Sequence, residues 1–116
     1  MNEIRKQRVE SQLRKEISLI IIEDIKDPRI KFVSVTHASL TNDLRIANVY
    51  VRVMGNDEER NNAMQGLISA SGFIRKEIGE RIRLRYTPEI KFLFDDSMDI
   101  QLRIENILRE IKGTNK

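Results

Sequence analysis

One histidine, His37, and the aspartates Asp95, Asp96 and Asp99 are the residues with which this sequence could move a proton or hold a metal. His37 falls in mid-strand, with no serine nucleophile and orienting acid in a recognisable signature around it, so it reads as a structural or surface imidazole. The three aspartates could hold Mg²⁺ through carboxylates. Two of them precede a helix and one lies in its first turn, where capping and the helix dipole already account for them. Cysteine is absent, which excludes disulfides and thiolate metal sites and fits a reducing compartment. Neither GxxxxGK(S/T) nor GxGxxG occurs, so the phosphate loops of nucleotide enzymes are missing. The expectation is a protein that is not an enzyme, with no catalytic residue, no metal and no cofactor.

The basic residues carry more. In SASGFIRKEIGERIRLR, a helix starting after Gly72 would expose Arg75 and Lys76 while Ile74, Ile78 and Ile82 face inward. A helix start brings unpaired N–H groups and the positive end of the dipole, which outlines a phosphate site. Arg81, Arg83 and Arg85 extend the charge toward the helix exit, where cations are also favoured by the dipole alone, so a phosphate-binding and a structural role both stand open. Arg45 and Arg52 lie on opposite strand faces by parity; Arg52 shares its face with Tyr50 and is the better contributor, with Arg29 and Lys31 as further additions. Tyr50 and Tyr86 are the candidates for stacking on bases, and so few platforms favour recognition of backbone and shape over sequence.

The elements that must position these groups follow from periodicity. From Glu3 to about Ile25, Val9, Leu13, Ile17, Ile20 and Ile21 recur at helical spacing, and Asp27-Pro28 stops the helix. Residues 30–40 and 44–54 are rich in β-branched side chains and alternate in character, with Thr41-Asn42-Asp43 joining them as an antiparallel hairpin. A second helix has the stripe Ala63, Met64, Leu67 and Ile68, continued through Ser71, Ile74, Ile78 and Ile82 by a third helix across a kink at Ala70-Ser71-Gly72 and ending near Leu84. Residues 89–94, EIKFLF, form the third strand, and Asp95-Asp96-Ser97 cap a last helix carrying Ile100, Ile104, Ile107, Leu108 and Ile111. The fold class is α+β, with helices on one face of a small sheet. Residues 1–112 form a single domain and residues 113–116 a frayed tail.

Lysine and arginine number 21 against 18 aspartate and glutamate, a net +3. The excess lies in two blocks: residues 26–54 hold five basic against two acidic, and residues 73–91 six against three. Folded onto one face, the blocks make a side suited to polyanions; otherwise they are scattered, solvated charge. The longest apolar run, Leu19 to Ile22, is too short to span a bilayer.

The element order resembles a type II KH domain, an RNA-binding fold, with Ala70-Ser71-Gly72 in place of the usual GxxG loop. That Ala-x-Gly kink, with QLRKEISLIIIEDIKDPR, IKFVSVTHASLTNDLRIANVYVRVMG and GFIRKEIGERIRLRYTPEIKFLFDDS in order, resembles the ribosome-binding factor A family over most of the chain between Gln12 and Ser97. The resemblance implies a cytoplasmic, monomeric, non-enzymatic assembly factor. It would bind free small (30S) ribosomal subunits, assist their late maturation and 16S rRNA processing, and touch the 5′-terminal helix region of that rRNA. Cold adaptation and contact with other assembly factors belong to the same expectation. The short tail after Gly113 departs from family members with longer extensions. The alternative is a protein-interaction module without direct RNA contact, in which helices or an open strand edge recruit the partner.

Overall fold

The structure, a computed structural model, describes residues 2–95. The last helix, Asp96, Asp99 and the tail 113–116 lie outside the described residues.

Helix α1 spans Glu3–Glu23, and Asn2 caps it by accepting from the Arg5 N–H at 2.8 Å. Val9, Leu13, Ile17, Ile20 and Ile21 are buried along one stripe, as their spacing predicts. Burial of each such side chain stabilises by about 1.5–3 kcal/mol, far more than helix propensity supplies. Asp27 is extended, as a residue before proline must be, and its carboxylate accepts from the Arg29 N–H at 2.9 Å. A 3₁₀ turn, Pro28–Ile30, follows, so Ile30 lies in a turn rather than at the start of a strand.

Strand β1 (Val33–Leu40) pairs antiparallel with β2 (Ile46–Val53), and β2 pairs parallel with β3 (Glu89–Phe94), giving the order β1-β2-β3. The expected hairpin is present: Thr41 Oγ1 donates to Asp43 Oδ1 at 2.6 Å, and Leu44 takes the left-handed backbone at φ 62°. The register of β1 shifts between Val35 and His37, leaving Thr36 as an extra residue. Before the bulge Val33 and Val35 face the core, and after it Ala38 and Leu40 do. A strand without the insertion would turn one of those pairs outward.

Ala47, Val49 and Val51 of β2 are wholly buried, flanked by Ile90 and Phe92 of β3. All these core positions share one face of the sheet, and both helices pack there. The opposite face carries Ser34, His37, Asn48, Tyr50, Arg52, Lys91 and Leu93.

Helix α2 replaces the expected pair of helices with one. It runs as one element, Asp57–Arg81, opened by a capping box between Asn56 and Glu59. Ala63, Leu67, Ile74 and Ile78 keep the expected stripe, but Ile68 is 59% exposed. Ser71 Oγ donates to the Ile68 carbonyl at 2.7 Å, so the serine is satisfied within the helix. A Cβ at Gly72 would meet nothing within 4 Å, so close packing does not explain that glycine. Gly66 differs: a Cβ there would lie 3.0 Å from Ile30 Cγ1. Ile30 is buried and held by its turn, with little room to yield.

The two helical glycines therefore have opposite expected outcomes in urea unfolding. Gly72→Ala raises stability by about 0.5–1 kcal/mol through helix propensity. Gly66→Ala lowers it by about 1–2 kcal/mol, because overpacking against Ile30 outweighs the same propensity gain.

Candidate nucleic-acid interface

At the end of α2 the chain turns at Ile82, which is extended and buried. Segment 82–88 is fastened back onto the helix. Arg75 Nη2 donates to the Thr87 carbonyl at 3.1 Å, and Gly79 lies so close that a Cβ would fall 2.9 Å from Thr87 Oγ1. This docking leaves Arg83 and Arg85 exposed and Tyr86 71% exposed. The Arg85 guanidinium stands 5.6 Å from the centre of the Tyr86 ring, within cation–π range. Lys76 is exposed beside Arg75 on the helix. Arg75, Lys76, Arg83, Arg85 and Tyr86 thus belong to one end of the molecule, cationic and carrying one ring open to stacking.

The geometry of that end differs from the expected phosphate site. No helix begins after Gly72; the main-chain N–H groups around Arg75 and Lys76 lie inside a continuous helix and bond to its carbonyls. Only side chains can bind an anion there.

Arg81 has a different job. It reaches Asp24 at 2.8 Å, Glu16 at 3.3 Å and Glu77 at 3.4 Å, and so joins α1 to α2. Loss of solvent disfavours its charge, but the bonds to Asp24 and Glu16 outweigh that and raise its pKa. These ion pairs give Arg81 the structural role that the sequence left open as one of two alternatives.

Arg52 lies on the open face of the sheet with Tyr50, as parity predicts, and its Nε is 3.8 Å from Asp95 Oδ2. Asp95 also accepts from Thr36 Oγ1 at 2.6 Å, so the bulge and the end of β3 are tied together. His37 stacks obliquely on Tyr50, with ring centres 5.7 Å apart. That pair escapes a simple reading of the strands, because His37 comes opposite Tyr50 only through the inserted Thr36. Among the described residues no group of histidines and carboxylates could hold a metal.

Arg29 and Lys31 occupy a third place, the turn between α1 and β1. Arg29 grips Asp27 with Nη2 at 2.7 Å and Nε at 3.1 Å, a hydrogen-bonded pair that holds the Asp27 carboxyl below the usual carboxylate range. Lys31 is exposed in a hollow shared with Met54, Glu59 and Asn62, at the first turns of α2. From Glu59 to Arg81 the helix is about 33 Å long, so the eight candidate cations do not form one patch. They divide between the two ends of α2 and the open sheet face.

Among the described residues, two helices on one face of a mixed three-stranded sheet, with cations and an open tyrosine at a helix end, define a small α+β domain. Comparison with known proteins gives the family. The family model described as ribosome-binding factor A matches residues 5–108, and the chain belongs to that family. It is similar to the crystal structure of ribosome-binding factor A from Thermus thermophilus, with a TM-score of 0.69 and 27% identity over 77% of this chain and 93% of that one. A Thermotoga maritima protein described as a ribosome-binding factor A gives a TM-score of 0.70 and 38% identity, over 80% of this chain and 90% of its own. A Thermus thermophilus homology model of the factor, fitted into a cryo-electron-microscopy map of a 30S complex, gives 0.62 and 27%, over 73% and 89% of the two chains.

The arginines of this region separate by experiment. Arg81→Ala is expected to lower the midpoint of thermal unfolding, whereas Arg83→Ala and Arg85→Ala leave it nearly unchanged. Calorimetry on the three variants provides the check.

Proposed function

We propose that this chain is a ribosome assembly factor that binds the free small ribosomal subunit, assists its late maturation and the processing of 16S rRNA, and contacts the 5′-terminal helix region of that rRNA. The observation that carries the reading is family membership over residues 5–108, together with the placement of a 27% identical Thermus thermophilus relative in a 30S complex. On this reading the protein works in the cytoplasm as a monomer without catalysis, and cold adaptation follows from a task that grows harder as RNA misfolds are trapped at low temperature. No helix among the described residues is long and apolar enough to cross a membrane.

Arg75, Lys76, Arg83 and Arg85 are the phosphate contacts of choice, with Tyr86 as a stacking platform. Arg52, with Tyr50 and His37 beside it, offers a second contact on the open sheet face. Lys31 and Arg29 are remote from both and add to the general attraction. Recognition by side-chain cations and one or two rings reads the shape and backbone of RNA more than its sequence.

Co-sedimentation with purified small subunits, large subunits and joined ribosomes across a salt series tests the reading. Selective binding to free small subunits is expected, with a log–log salt slope of roughly −3 for about four phosphates neutralised. Arg75→Ala flattens the slope by about 0.7–0.9 while the domain stays folded. Equal binding to all three particles would reduce the activity to generic polyanion affinity. Selective binding that survives high salt would move the contact to a protein surface.

A further inference from the structure

The turn between α1 and β1 holds an apolar surface that the RNA reading does not use. Ile22 is 75% exposed, Phe32 64% and Met54 76%. Phe32 and Met54 are held side by side, because the Met54 N–H donates to the Phe32 carbonyl at 3.2 Å. Between them and α1 run adjoining hollows. One of about 450 Å³ is lined chiefly by Ile21, Ile22, Ile25, Pro28 and Val33, and one of about 180 Å³ lies between Ser18 and Ile22 of α1 and Val33 to Val35 of β1.

Among the described residues strand β1 is an edge strand, with β2 on one side only. The Phe32–Met54 bond fixes which of its groups point outward. In an antiparallel ladder bonded pairs alternate, so Ser34 bonds toward Arg52 while the N–H and C=O groups of Val33 and Val35 point away from β2. Val33 and Val35 also line the smaller hollow. Farther along the same edge, beyond the bulge, the Leu40 N–H is covered by Glu10, which accepts it at 2.7 Å. The edge is thus closed by a carboxylate at one end and bordered by aliphatic hollows at the other.

Lys26, Lys31 and Asp27 also line the larger hollow; neither lysine has an acidic partner among the described residues, since Asp27 is paired with Arg29. Arg29, close by, is already matched to Asp27.

We propose that this surface takes an extended segment of a partner protein, acidic residues alternating with aliphatic ones, which adds to the edge of β1 at Val33 and Val35. A strand repeats its outward groups every second residue, about 6.8 Å apart, and that is the spacing a peptide backbone offers. Aliphatic side chains of the segment fill the hollows beside Ile22 and Val33, and its carboxylates meet Lys26 and Lys31. RNA fits the two hollows less well: they are lined mainly by isoleucine and valine, and the one exposed ring of the surface, Phe32, lies outside them.

An amide NMR titration of the full chain with defined probes is the test. The probes are a nine-residue peptide alternating valine with glutamate, the same peptide with lysine for glutamate, and a uridine decamer. The glutamate peptide is expected to shift the Val33 and Val35 amides and slow their exchange, and to bind at least about tenfold more tightly than the lysine peptide. A Lys26→Glu, Lys31→Glu double variant, both positions exposed, is expected to reverse that preference. Equal binding of the two peptides, no change at Val33 and Val35, or displacement of the peptide from these amides by the uridine decamer would each overturn the proposal. None of these outcomes depends on small-subunit binding, so the two readings stand or fall separately.

Discussion

The extra residue at Thr36 is the constraint on which the sheet depends. Side chains alternate along a strand with a period of two, so a single insertion exchanges the faces of everything beyond it. Without that insertion Ala38 and Leu40 could not share a face with Val33 and Val35, and the core would lose one half of β1 or the other. The same insertion sets His37 against Tyr50 and turns a hydroxyl toward Asp95. Burial of one face and the chemistry of the opposite face therefore rest on one local irregularity.

Helix α2 imposes the second organising condition. Its unbroken course means that anion-binding groups near Gly72 come from side chains alone. It also sorts the cations. Arg81 holds α1 against α2, while its neighbours in sequence, Arg83 and Arg85, stand apart from that contact because the chain has left the helix by then and turned at Ile82. Three arginines two residues apart look alike in a sequence. The geometry of the helix end makes one of them a joint and leaves two for solvent or a ligand.

Much of the fold was legible before any coordinates. The stripe Val9, Leu13, Ile17, Ile20 and Ile21 and the alternation of Ala47, Val49 and Val51 state their own burial, since the spacing that forms each element is the spacing that faces the core. What periodicity divided at Ala70-Ser71-Gly72 is one helix, Asp57–Arg81. Serine and glycine weaken a helix locally, but the surrounding Leu67, Ile74 and Ile78 stay in phase across them, and tertiary burial prevails over a propensity deficit of about 1 kcal/mol. The bulge was hidden because β1 alternates acceptably in either register over short stretches. At the candidate site, the location of Arg75, Arg83 and Arg85 was legible, whereas the engagement of Arg81 with Glu16 and Asp24 was not. Those partners lie 65 and 57 residues away, and no local pattern announces them. The surface at Ile22, Phe32 and Met54 left one trace: apolar residues at positions that the stripe and the alternation do not need.

The length of α2 has a meaning of its own. A helix of 25 residues follows a path about 37 Å long, capped at its start by Asn56 and Glu59 and clasped near its end by the Arg75–Thr87 bond. A body that touches both ends at once gains from effective concentration only if its own two contact points stand at that separation. One continuous helix thus sets how far apart contacts at its two ends stand: for a body touching both, two individually weak contacts would act as one strong attachment only at a matching spacing.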